Sequence, residues 1–376
     1  MSVPILTTTA AVAALAAELA GQEAVAVDLE ADSMHRYRER VCLVQISTRE
    51  QTVLIDPLAG AELAPLAPLL ADPAVRKIFH AADYDLRSLY RDFRLEVRGL
   101  FDTMVSAQLL GEEKIGLADV LGRHFGVTLD KRFQRADWSL RPLTAEMIAY
   151  AAEDTRHLHR LAALFEARLR ETGRLDWARE EFALLETVRF SAEERGPLCL
   201  RLKGAAALDR RQLGVLEALL QWREGEAERR DRPTFQVVGN AILLALAKMA
   251  PRTQTALAAV TELPERLRDR YGRDLQAAIE RGLTLPGEEL PVWPKTPRPE
   301  RDPAVDVRLA ALKGWRRDKA AALAVEPGVL INNALLELLA REHPRTQGQF
   351  DDLPGLKGWQ RREFGDELLA CLRTAT

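Results

Sequence analysis

The chain has 376 residues, of which 47% are hydrophobic and 29% charged, and a formal net charge of −3. That length exceeds one ordinary domain, and the composition excludes a disordered or fibrous chain. The near-neutral balance excludes a strongly basic nucleic-acid scaffold, although an acidic cluster in a site would offset basic residues elsewhere.

Thr7–Thr9 followed by alanines and leucines predicts a capped helix. The apolar run Ala10–Ala20 contains Glu18 and lacks a basic leading region, so no secretory signal is expected. No stretch approaches the roughly 18 apolar residues of a membrane span. Val25–Leu29, Val41–Ile46, Thr52–Ile55 and Val75–Phe79 read as strands bounded by polar turns. Helical spacing follows at Leu86, Leu89 and Tyr90, then at Val105, Leu109 and Leu110, which makes an α/β pattern. Cys42, Cys199 and Cys371 are far apart and sit beside apolar residues. They read as small buried hydrophobes in a reducing compartment, the cytoplasm.

After about Leu200 the strands disappear. Leu208–Glu228, Gly239–Met249, Leu309–Ala324 and Asn333–Glu342 have helical patterns. Between them the stretch Leu285–Pro299 holds five prolines and reads as a stiff linker. The two helical segments repeat one another. Gln221-Trp222-Arg223 echoes Gly314-Trp315-Arg316, Asn240 echoes Asn333, and Pro251-Arg252-Thr253-Gln254 echoes Pro344-Arg345-Thr346-Gln347, all at an offset of 93 residues. Two copies of one small helical domain are therefore expected, with Trp222 and Trp315 in core-packing positions.

Three acidic motifs punctuate the first half. Asp28-Leu29-Glu30 ends an apolar strand, so its two carboxylates project to one face. Side by side they repel unless a cation lies between them. His80-Ala81-Ala82-Asp83-Tyr84-Asp85 feeds a strand into a helix, where either aspartate could equally be a first-turn acid. Tyr150 and Asp154 lie four apart in a helix starting near Thr144 and share a face. Each motif alone has an ordinary structural explanation. Carboxylate oxygens suit Mg²⁺ or Mn²⁺, and no His/Cys cluster points to zinc.

In this order the three motifs resemble the DEDD exonuclease superfamily, in the branch whose last motif is Tyr-x-x-x-Asp, and within it the ribonuclease D family and its nuclear-exosome relative. Cys42-Leu43-Val44-Gln45-Ile46-Ser47-Thr48, Leu100-Phe101-Asp102-Thr103, Leu129-Asp130-Lys131, Gln134, Asp137-Trp138 and Arg141-Pro142-Leu143 extend the likeness across roughly residues 1–195. The helical repeats resemble HRDC domains. The resemblance implies an RNase H-like α/β exonuclease domain, a mixed sheet flanked by helices, at residues 1–200. It further implies HRDC-like all-α domains at 205–285 and 304–376, joined by a Pro-rich linker at 286–303.

The resemblance also implies the chemistry: 3′→5′ exoribonuclease action by two divalent ions, Mg²⁺ or Mn²⁺, releasing nucleoside 5′-monophosphates from RNA with a free 3′ end. Precursors of tRNA are the expected substrates, with no membrane or protein partner. A 3′→5′ exodeoxyribonuclease acting in DNA repair is the alternative. Asp28 would bridge both ions, Glu30 and Asp154 would complete the nucleophile-side site, and Asp85, placed five residues after His80 as in the family, would serve the other. Tyr150 would orient the attacking water. His80 and Asp102 read as a strand-end residue and a helix cap. Met34, His35 and Tyr37, just past Glu30, and Lys131, Arg135 and Arg141, near the third motif, are candidate RNA contacts, the last three equally readable as a solvated charged segment. Charge is nearly balanced in both repeats, so neither is expected to carry a strong phosphate-binding face.

Overall fold

The computed structural model describes residues 3–191, 196–294 and 302–375. Six strands form one mixed sheet: β1 (Ile5–Leu6), β2 (Ala24–Ala31), β3 (Val41–Ser47), β4 (Thr52–Ile55), β5 (Arg76–Phe79) and β6 (Leu100–Asp102). Their order is β1-β4-β3-β2-β5-β6. The β2–β3 and β3–β4 pairs are antiparallel; the β1–β4, β2–β5 and β5–β6 pairs are parallel. The expected α/β layering with a mixed sheet is borne out. β1 and β6, two and three residues long, escape a periodicity reading because a period of two needs more positions than they offer.

The Thr9–Leu19 helix opens as its threonines predict, with Thr8 Oγ1 accepting from Ala11 N. Apolar residues of β2 and β5 then pack against the Leu158–Glu171 helix, where Leu161 and Phe165 are buried. Lys77 on β5 is an exception to the apolar rule. It is fully buried and donates to the carbonyls of Leu69, Asp72 and Val75, so its three N–H groups are all used.

The described chain separates into two compact units. The first comprises Met1–Ala31, Val41–Phe190 and Pro299–Thr376. It therefore contains the sheet together with the second helical repeat, built on the Pro303–Leu323, Asn333–Glu342 and Gly358–Thr374 helices. That repeat packs on the Leu175–Leu185 helix. Trp359 is fully buried and stacks on Trp177 with ring centroids 4.6 Å apart. Its indole N–H donates to Glu181 at 2.8 Å, and Lys357 pairs with the same carboxylate at 2.6 Å. Arg174 donates to the Leu323 carbonyl at 2.6 Å.

The second unit comprises Asp32–Arg40 and Ser191–Arg298. Its helices Arg210–Arg230, Asn240–Met249 and Glu265–Thr284 enclose their own apolar core. The loop Asp32–Arg40 is held against this bundle: Tyr37 Oη donates to Glu224 at 3.1 Å, Arg38 pairs with Glu228 at 2.6 Å, and Gln236 donates to the Met34 carbonyl at 2.7 Å. Residues 295–301 of the expected linker lie outside the described residues.

The internal repeat is visible atom by atom. Arg223 donates to Asn240 Oδ1 at 2.7 Å and to the Val238 carbonyl; 93 positions on, Arg316 donates to Asn333 Oδ1 at 2.9 Å and to the Ile331 carbonyl. Trp222 meets Tyr271 edge-on at 5.3 Å, and Trp315 meets Phe364 edge-on at 5.6 Å. Both tryptophans pack against a core, as their apolar surroundings in the sequence predict.

Candidate active site

Asp28 and Glu30 lie two apart on β2 and project to one face of the sheet. A register shift follows between Glu30 and Ala31, so the ladder with β3 is interrupted at the point where the chain leaves the carboxylate pair. Over this face runs the Ala145–Arg156 helix, started by Thr144 Oγ1 accepting from Met147 N at 3.2 Å. Buried alanines at 151 and 152 allow its close approach, and Thr155 Oγ1 hydrogen bonds Ser47 Oγ on β3 at 2.6 Å. Asp154, beside Thr155 on this helix, is thereby carried to β2. Asp28, Glu30 and Asp154 each present a carboxylate oxygen within 4.8 Å of the others.

Asp85 sits in the first turn of the Ala82–Phe93 helix and is buried, whereas Asp83 is half exposed and paired with Arg87 at 2.7 Å. Asp85 stands outside the 4.8 Å group but acts on it electrostatically. Its charge helps raise the Glu30 carboxyl, and burial first, then Asp28 and Asp102, raises that of Asp85. Asp102 holds the start of the same helix, accepting from Ala81 N and Ala82 N, and also caps its own helix at Met104 N and Val105 N. His80 Nδ1 lies 2.9 Å from Thr103 Oγ1, in keeping with a strand-end residue.

The electrostatics follow from burying like charges together. Burial pushes the Asp28 carboxyl up to about 7, opposed by the Leu29 N–H. Burial, then the charge of Asp28, pushes Asp154 up to about 8. Glu30 lies well above the usual carboxylate range, through burial first and then Asp28, Asp154 and Asp85. Tyr150 hydrogen bonds Asp154, and burial and the surrounding carboxylates drive its phenol above 10, so it stays protonated. Its ring is fixed edge-on to Phe133 at 5.8 Å and against Trp138 at 5.9 Å. Crowded hard oxygen donors whose carboxyls are all pushed upward by their mutual repulsion and burial fit a divalent cation.

The flanking candidates separate. Met34, His35 and Tyr37 belong to the Asp32–Arg40 loop of the second unit. Lys131 and Arg135 are exposed. Arg132, which no sequence signal distinguishes from its neighbours, lines a cavity of about 280 Å³ with Asp130, Glu146, Tyr150, Glu153 and Asp154. Side-chain direction in an irregular segment follows no period, so choosing between Lys131 and Arg132 needs the structure. Arg141 corrects an expectation. Its guanidinium donates twice to Asp56, at 2.6 and 2.7 Å, and to the carbonyls of Cys42, Trp138 and Leu140, which uses all five N–H donors and leaves none for a phosphate. In the first repeat Arg230, Arg232, Arg266 and Arg270 line a cavity of about 460 Å³ with Gln236, Val237 and Tyr271. Balanced totals do not reveal this local cluster of arginines, of which Arg230 is paired with Glu226.

Residues 3–170 match the 3′-5′ exonuclease family, and residues 212–279 and 306–372 each match the HRDC domain. A ribonuclease D from Gluconacetobacter diazotrophicus is 34% identical over 97% of this chain and 92% of its own length. The crystal structure of Escherichia coli RNase D, described as an exoribonuclease involved in structured RNA processing, superposes with a TM-score of 0.73 at 28% identity, covering 100% of this chain and 99% of that one. The catalytic core of RRP6 from Trypanosoma brucei gives a TM-score of 0.66 at 28% identity over 77% of this chain and 81% of that one. Likeness at this identity across nearly the whole length, with both the exonuclease and the HRDC regions in place, makes the chain a member of the ribonuclease D family of 3′→5′ exoribonucleases.

Proposed function

We propose that the enzyme trims the 3′ ends of tRNA precursors and other small structured RNAs in the cytoplasm, with Asp28, Glu30, Asp85 and Asp154 holding two divalent cations and Tyr150 ordering the attacking water. The observation that carries this reading is the convergence of Asp28, Glu30 and Asp154 within 4.8 Å from two distant parts of the chain. Mg²⁺ or Mn²⁺ bound there supplies activation of water and stabilisation of charge on the leaving 3′ oxygen. The chain's own contribution is orientation and burial. Asp28, central among the acids, acts by its charge on both Glu30 and Asp85. Tyr150 keeps its proton, so it acts as a hydrogen-bonding guide for water and not as a base. Arg132, at the cavity beside Tyr150 and Asp154, is placed to meet a phosphate of the terminal nucleotides. The arginine-lined cavity of the first repeat offers a second, sequence-independent hold on the RNA backbone.

The division into residues 1–200, 205–285, 286–303 and 304–376 remains our working domain scheme. The test of function is product analysis on a 3′-extended tRNA and on DNA of the same sequence, with and without EDTA. Release of nucleoside 5′-monophosphates from the RNA 3′ end, abolished by EDTA, is expected. Internal cleavage, 3′-phosphate products, EDTA resistance or preference for DNA would overturn the reading.

A further inference from the structure

Gln45 lies on β3 directly opposite Asp28 on β2. Facing residues of an antiparallel pair share a side of the sheet with Cβ atoms roughly 4.5–5.5 Å apart, so the Gln45 side chain stands beside Asp28, on the face covered by the Ala145–Arg156 helix. Ser47, two residues along and on the same face, bonds Thr155 of that helix at 2.6 Å, which fixes the side independently. Gln45 is 0% exposed, and among the described residues neither its amide nitrogen nor its amide oxygen has a hydrogen-bond partner. Its neighbour across the other edge of β3 is Leu54, and Leu43, Leu54 and Ala151 form an apolar cluster there. Fully burying an unbonded primary amide among apolar groups is costly. Leucine or methionine would pack as well. The one polar group facing Gln45 across the ladder is the carboxylate of Asp28.

We propose that Gln45 is a positioning residue for the cation site: with a divalent ion bound and Asp28 ionised, the Gln45 amide N–H donates to the Asp28 carboxylate, directly or through one ordered water, and fixes the rotamer that presents Asp28 to the ion. This rests on the metal-binding reading of the acid cluster above. Ligand carboxylates are themselves hydrogen bonded in metal sites, and loss of such a partner weakens the metal about 10–100-fold. The amide therefore has a use only in the loaded state, which sets this role apart from packing. A structural amide stabilises the protein whether or not metal is present.

The experiment titrates Mn²⁺ into the metal-free full-length protein by calorimetry, for wild type, Gln45→Met and the same-strand control Ile46→Val, with the melting temperature of each metal-free protein measured alongside. Gln45→Met is expected to melt no lower than wild type, because it removes an unbonded buried amide, yet to bind Mn²⁺ about 10–100-fold more weakly. Ile46→Val, which trims a buried side chain on the opposite face of β3, is expected to melt lower with unchanged Mn²⁺ affinity. Equal Mn²⁺ affinity in Gln45→Met, or a weakened affinity accompanied by a lower metal-free melting temperature, overturns the proposal while leaving the metal site standing. Failure of the wild type to bind Mn²⁺ overturns the metal reading itself. Should Gln45→Met fail to fold, the wild-type side-chain amide resonance of Gln45 decides: it shifts on Mg²⁺ addition if the proposal holds and stays fixed if it does not.

Discussion

Arg141→Met separates a structural arginine from an RNA contact. The guanidinium neutralises Asp56, whose side chain is 5% exposed, and ties the Trp138–Leu140 carbonyls to the β3 carbonyl of Cys42. In the variant the Asp56 carboxylate keeps only the Ala59 N–H at 3.2 Å among its described side-chain contacts. Breaking a buried pair by removing one partner costs about 3–5 kcal/mol. For a cooperative unit of this size that lowers Tm by roughly 6–20 °C, at about 2–4 °C per kcal/mol. Because Trp138 flanks Tyr150, turnover should also fall, but RNA affinity measured on intact protein at low temperature should not. Adding Asp56→Asn in the Arg141→Met background should recover part of the lost Tm, since the uncompensated charge is gone. The assay pairs thermal unfolding with RNA binding at several salt concentrations. An unchanged Tm with a salt-dependence slope reduced by about 0.7, the signature of one lost phosphate contact on a single strand, would refute the structural assignment.

Other expectations follow from the acid cluster and the repeat contact. Asp28→Asn and Asp154→Asn should each cut kcat by about 10³-fold or more with Tm unchanged or raised, whereas Tyr150→Phe, which removes no carboxylate, should cost less, about 10–10²-fold; steady-state kinetics in Mg²⁺ ranks them. In EDTA, stability should fall as pH rises. The folded Asp28 and Asp154 carboxyls titrate near 7 and 8, while unfolded aspartates release their protons near about 4. The folded chain thus holds more protons across that window, and the stability present below it is lost on the way up. Tm in EDTA should be lower at about pH 8.5 than at about pH 5.5, with Mn²⁺ restoring more at the higher pH; a pH-independent Mn²⁺ effect would contradict this. Trp359→Ala, which empties a fully buried site and removes the indole N–H from Glu181, should destabilise the sheet-containing unit by about 3–5 kcal/mol, read by chemical denaturation; a loss confined to the C-terminal helices would count against the packing described.

Much of the fold and of the site is legible in the sequence because it is local. Alternation along a strand puts Asp28 and Glu30 on one face, a four-residue step puts Tyr150 over Asp154, and an exact offset reveals the repeat. The Asn333–Glu342 helix coincides with its expected limits, since Asn332 caps it at Leu335 N. What stays hidden depends on long-range partners. Asp56 is 85 residues from Arg141, and Trp177 meets a tryptophan in the second repeat. The sequence suggests that this repeat hangs from a linker, and no spacing rule signals that it shares a core with the sheet. Gln45 stands within an apolar run as part of a familiar string, but its lack of any partner emerges only when every neighbour is placed.

The proposed mechanism stands or falls on these carboxylates gathering a pair of ions at the RNA 3′ end. Crystals of the protein with Mn²⁺ and a hydrolysis-resistant RNA 3′ terminus, measured at the manganese absorption edge, test it directly. Two anomalous peaks about 3.5–4 Å apart are expected, both touching Asp28 and flanked by Glu30, Asp85 and Asp154. Peaks only elsewhere, or none beside Asp28 with the RNA end bound, would contradict it.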